Sequence, residues 1–191
     1  MGTAKQAIPD SLIYEMNNGV PIYYHGWEDY LKGAKRLDEI IRSSLLQSLI
    51  ISRLVFLLQS KLQGKYEVLT NEIGVQFAKN AWRAADIAII PSEELEDIEI
   101  ANNYLNFAPE VVIEVDTKAD LQSIQNPLSY YHEKTDEFLR FGISKVIWIF
   151  TDSKKVMVAE QNKKWETSDW EVEIEVIEGI KVNIATILQK K

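Results

Sequence analysis

The sequence predicts one α/β (α+β) domain, a mixed central β-sheet with helices packed on it. Three observations predict it. Periodicity gives the element order helix, several strands, helix, strands. Val111–Val115 is apolar apart from Glu114, and Lys145–Phe150 is nearly so, as expected of central buried strands. Leu37–Leu62 reads as a long helix whose apolar residues cover more than one face, which suits burial against a sheet. A chain of 191 residues with 46% hydrophobic content fits one core-forming domain, 1–191, and excludes wholesale disorder.

Residues 1–20 are polar and mixed and are expected to form an N-terminal arm. Val20–Tyr24 suits a short strand or turn. Gly64 supplies a stop after the long helix. Tyr66–Leu69 and Ile73–Phe77 alternate with period two, as two strands would. Lys79-Asn80 is a turn, and Pro91 ends the strand Ala85–Ile90. Ser92–Asn103 is acidic and polar, a surface loop. Asn126-Pro127-Leu128 opens a helix through about Phe141, and Gly142 closes it. Asp152-Ser153 turns Lys145–Phe150 back into Lys155–Ala159 as a hairpin. Glu171–Val176 alternates as a solvent-facing edge strand would, and Ile184–Leu188 is a short closing helix.

Composition narrows the chemistry. Without cysteine there are no disulfides and no zinc–thiolate site, and a cytoplasmic location is expected. With only His25 and His132, a multi-histidine metal centre is hard to build; oxygen ligands suit Mg²⁺ or Mn²⁺. The first twenty residues lack a basic start followed by an apolar run, so no signal peptide is expected. Ser52, Arg53 and Gln59 interrupt the apolar helix, so no membrane span is expected. A net charge of −8 disfavours a broad nucleic-acid surface, although the 21 basic residues can still cluster locally.

Against this background Asp86 and Glu114 stand out. Each carboxylate sits within an apolar strand, where it is costly unless paired or metal-bound. Two such carboxylates can hold a divalent ion that activates a water, and a lysine can orient or deprotonate that water. Strand alternation puts Asp116 on the side of Glu114, and Thr117 on the other with Val115. Lys118 shares the face of Glu114 but lies more than about 10 Å along the strand. Lys134, on the returning helix, is the favoured lysine. The competing reading is that acids end strands by chance and that Asp86 caps a turn.

The chain resembles the Uma-type family of restriction-endonuclease-like proteins in the PD-(D/E)xK superfamily. Ala85–Ile90 resembles the family's Pro-Asp strand, and Glu114-Val115-Asp116-Thr117 its Glu-Val-x-Ser segment. Lys134, Phe138, Gly142 and Val146-Ile147-Trp148-Ile149 resemble its Lys-x-x-x-Tyr…Gly-Val…Tyr-Trp stretch. Ala85 replaces the family's proline, Thr117 its serine and Phe138 its tyrosine. The resemblance implies a restriction-endonuclease-like core, a Mg²⁺ site from Asp86 and Glu114, and Lys134 in the place of the superfamily lysine. It also implies an accessory acid on the long helix, for which Glu39 is the candidate, although a solvated helix charge is the simpler reading. The expected activity is Mg²⁺-dependent endonucleolytic hydrolysis of DNA by a C2 homodimer. The alternatives are a decayed nuclease scaffold that binds a protein partner, and hydrolysis of a small phosphate ester.

Overall fold

The computed structural model describes residues 8–96, 98–122, 124 and 126–189. A 3₁₀ turn (Asp10–Leu12) leads into the hairpin β1 (Ile13–Asn17) and β2 (Val20–Tyr23). Helices α1 (Trp27–Leu31), α2 (Leu37–Ile41) and α3 (Leu45–Leu62) follow, then the long strands β3 (Tyr66–Ala78) and β4 (Ala81–Pro91). After β5 (Val111–Val115) come α4 (Pro127–Phe141), β6 (Lys145–Phe150), β7 (Lys155–Glu160) and β8 (Glu166–Asp169). A hairpin of β9 (Ile174–Ile177) and β10 (Ile180–Val182) and the short helix α5 (Ile184–Ile187) complete the described chain.

The sheet runs β2-β1-β4-β5-β6-β7-β8, with β3 also paired to β4. It is mixed: β5 and β6 are parallel, and the other pairs are antiparallel. Because β3 follows β4 along its length, β1 and β5 share the opposite edge. There β1 pairs at Trp82 and β5 from Ile87 to Ile89. Residues 83–86 of that edge lie in the gap where the two neighbours diverge.

Each face of the sheet has its own apolar layer. On α3, Ile50, Leu54, Leu58 and Leu62 recur every four residues and cover Ile87, Ile89, Ile113, Ile147 and Ile149. Val176, Val182 and Ile184 close the end of that layer. On the other face Tyr130, Phe138 and Leu139 of α4 join Val112, Val146 and Trp148. In β5 the odd residues Val111, Ile113 and Val115 face α3 and Val112 faces α4, so alternation turns Glu114 toward α4.

Several sequence expectations change. The residues read as a loose arm enter the sheet: β1 buries Tyr14 and Glu15. Residues 1–7 lie outside the described ones. The long helix is divided: Arg42 and Ser44 are extended, and the Ser44 side chain caps α3 by accepting from the Gln47 N–H. By length and composition α3 could cross a bilayer, but its buried stripe lies on the sheet and Arg53 binds the Ile187 carbonyl. Burial is one-sided, leaving Leu45 and Phe56 exposed. The two strands expected over 66–77 are one strand with a bulge, where Asn71 and Glu72 adopt left-handed backbone. Glu171–Val176 is not the sheet edge. That edge is β8, while β9 pairs with β10 and buries Ile174, Val176 and Ile177.

One-sided burial gives a direct contrast within one helix. Leu54→Ala should cost about 2–5 kcal/mol in urea unfolding. Phe56→Ala, two residues on, should change stability by no more than about 0.5 kcal/mol.

Candidate functional site

The gap between β1 and β5 is closed by side chains. Asp86 Oδ2 accepts the Val115 N–H at 2.7 Å, and Glu15 Oε1 accepts the Ala84 N–H at 3.2 Å. Two carboxylates thus replace strand carbonyls as acceptors for buried amides. One step past the pair Ile87↔Ile113, the same register places Asp86 opposite Glu114.

Lys134 projects from α4 into this cluster and is fully buried. Its Nζ lies 2.7 Å from Glu15 Oε1 and 2.9 Å from Glu114 Oε1. Both are short ion pairs off the hydrogen-bond axis, so charge attraction holds the lysine. The rings of Tyr14, Phe138 and Trp148 surround the ammonium at 5.3–5.6 Å, within cation–π range. Glu15 is the hub. Its Oε2 accepts from Arg83 Nη1 at 3.0 Å and from Tyr130 Oη at 2.8 Å. Arg83 Nε donates in turn to Glu137 at 2.7 Å. Buried charges survive only when compensated in this way. Among the described residues, nothing donates a hydrogen bond to Glu114 Oε2.

The electrostatics follow from burial. It pushes the Asp86 carboxyl up to about 6, against the pull of the Val115 N–H and Lys134. Burial also pushes Glu114 well above the ordinary glutamate range. For Lys134 burial acts downward, but Glu114 and Glu15 outweigh it and hold the ammonium above its ordinary value. In both acids burial outweighs the pull of Lys134.

The other candidate residues are arranged differently. Asp116 has left-handed backbone beyond the end of β5, so alternation fails there. Its carboxylate turns to Thr151, accepting from the N–H at 2.8 Å and the hydroxyl at 2.6 Å. Thr117 donates to Tyr130 Oη and accepts the Ala119 N–H, closing a local turn. Lys118 pairs with Glu72 of the β3 bulge. Glu39 belongs to α2, not to the long helix, and accepts the Arg36 N–H at 2.7 Å as a cap. His132 is exposed against Trp165, and His25 is exposed near Asp120. Arg83, paired with Glu15 and Glu137, is buried away from solvent. Glu15 is the member of this cluster that periodicity and spacing do not single out. Its signal was a lone acid in the apolar run Leu12-Ile13-Tyr14-Glu15-Met16.

Asp86 opens into a cleft of about 630 Å³ between α3 and the β3 bulge. Ile51, Val55 and Phe56 form one wall, and Thr70, Glu72 and Lys118 the other.

No family model matches the chain, and no curated protein matches it. The fold is shared with a solved structure, that of a candidate nuclease belonging to DUF820 from Anabaena variabilis. The two are 19% identical with a TM-score of 0.62, over 76% of this chain and 81% of that one. The chain therefore has the fold of that protein, a mixed sheet flanked by helices as the sequence predicts.

Two measurements test this description. Glu15→Ala leaves Arg83 and Lys134 without their shared acid and should cost about 3–5 kcal/mol in denaturant unfolding. The raised Asp86 makes the folded state bind protons more tightly than the unfolded chain. Stability should therefore fall as pH rises from about 4 to about 6, by about 3 kcal/mol at most from this group. Asp86→Asn keeps an acceptor for Val115 and should flatten that part of a stability–pH curve.

Proposed function

We propose that the protein is a divalent-metal-dependent nuclease that hydrolyses phosphodiester bonds of nucleic acid, with Asp86 and Glu114 as the metal ligands. The observation that carries this reading is two buried acids, Asp86 on β4 and Glu114 on β5, placed one step past the last paired residues Ile87↔Ile113, with Glu114 Oε2 accepting no hydrogen bond among the described residues. The donor set fits the ion in kind. Among the described residues no group of three His, Cys, Asp or Glu side chains could hold a metal, which argues against an all-protein cage. Mg²⁺ commonly takes one or two carboxylates and completes its shell with waters and substrate phosphates. The shared fold with a candidate nuclease supports the same reading, and Mn²⁺ is the natural substitute.

When bound, the ion supplies Lewis acidity and an activated water. The protein's own groups do the rest. Asp86 presents its carboxylate to the cleft while the Val115 N–H fixes its orientation. Lys134 holds positive charge against Glu114 from behind, and the three rings exclude water from it. Lys118 is the lysine that lines the cleft, and it is paired with Glu72. One observation favours a second reading, a catalytically decayed scaffold. Glu15 and Glu137 already compensate Arg83, and Glu15 shares Lys134, so the network is also self-sufficient as structure.

Calorimetric titration separates the two. Wild type should bind Mg²⁺ or Mn²⁺, Glu114→Ala should lose that binding, and Asp86→Ala should abolish cleavage while its circular dichroism stays native. A wild type that binds neither ion, with or without an oligonucleotide, selects the decayed scaffold.

A further inference from the structure

The cleft beside Asp86 is unlike a surface built to grip duplex DNA. Affinity for duplexes comes largely from free lysines and arginines on the phosphates. Here Lys118 is the only cation lining the cleft among the described residues, and Glu72 already pairs with it. Arg83 and Lys134 are sealed beneath the sheet edge. What the cleft offers instead is an apolar wall. Ile51 and Val55 are half-buried, and Phe56, on the same wall, is 77% exposed. A solvated phenylalanine at the mouth of a carboxylate site is a stacking platform for a flat ring. The volume suits a ligand of nucleotide size.

Resting on the nuclease reading, we infer that this cleft receives an unpaired base of a single-stranded nucleic acid, stacked on Phe56 with its phosphate toward Asp86. In a duplex the bases are stacked on one another and cannot reach the wall. A strand with free bases can, and its affinity then comes from ring contact more than from phosphate neutralisation. The net charge of −8 opposes phosphate binding in either form, so the preference for a single strand rests on the access of a free base to the apolar wall. A single-strand substrate also removes the need for a two-fold dimer to cut opposed strands.

The test is fluorescence anisotropy in Mg²⁺ with a labelled phosphorothioate oligothymidine, which resists cleavage, and with the same strand annealed to its complement. Wild type should prefer the single strand, with a shallow salt dependence. Phe56→Ala should weaken single-strand binding roughly tenfold or more, and Phe56→Trp should retain it. Equal or tighter duplex binding with a steep salt dependence overturns the inference, as does indifference to Phe56→Ala. Thymidine monophosphate binding as tightly as the oligomer assigns the cleft to free nucleotides instead. Sedimentation showing a wild-type dimer that Phe56→Ala dissociates assigns the apolar face to a second copy. If wild type takes up Mg²⁺ in calorimetry but binds no strand, this inference falls and the metal site stands; no Mg²⁺ uptake, with or without an oligonucleotide, removes the nuclease reading itself.

Discussion

The ion pairs of Lys134 with Glu15 and Glu114 are what the rest of the structure is arranged around. A fully buried ammonium is among the costliest groups a fold can hold, and it is retained only where carboxylates meet it closely. Here the two glutamates come from β1 and β5, strands separated by β4, and the lysine comes from α4. The pairing therefore ties the first described strand, the sheet centre and one helix layer together. It can do so because β1 and β5 leave four residues of the β4 edge unpaired, and carboxylates occupy the space that backbone would otherwise fill.

That arrangement links stability to the site. Glu15 satisfies Arg83, Tyr130 and the Ala84 amide with its two oxygens, so its role is structural saturation. Glu114 is held by one off-axis contact and keeps an oxygen free of hydrogen bonds. The two acids sit on the same lysine but are not equivalent: one is fully used by the fold, the other is not. Groups left in that state are common where a protein binds a ligand, since a fully satisfied network has nothing to offer one.

Much of this was legible in the sequence, for physical reasons. The largely apolar strands β5 and β6 and a helix bounded by Asn126-Pro127 and Gly142 have local causes, and they appear where periodicity and capping place them. Asp86 and Glu114 were readable because charge within an apolar strand needs an explanation, whereas Lys134, in the polar helix segment Tyr130–Glu137, was singled out by the returning helix and the resemblance. The failures arose where local pattern competes with tertiary pairing. Ser44 breaks a helix that hydrophobicity alone would continue, which moves Glu39 onto a separate element. The left-handed turn at Asp116 ends alternation one residue after Val115 and points that acid at Thr151. Glu15 was hidden because β1 is held in the sheet through a hairpin and a single pair with β4, a contact no short-range signal announces. The bulge that carries Glu72 into the cleft is likewise a feature of pairing, not of composition.

The claim that most needs a direct test is that Asp86 and Glu114 together form a divalent-ion site. Crystals soaked in Mn²⁺ and measured at the manganese absorption edge would locate the ion by its anomalous signal. One peak within bonding distance of both carboxylates is expected in wild type, with its loss in Glu114→Ala. A wild-type map with no peak between them, or with manganese only at surface acids such as those of the Glu93–Glu96 turn, would contradict it.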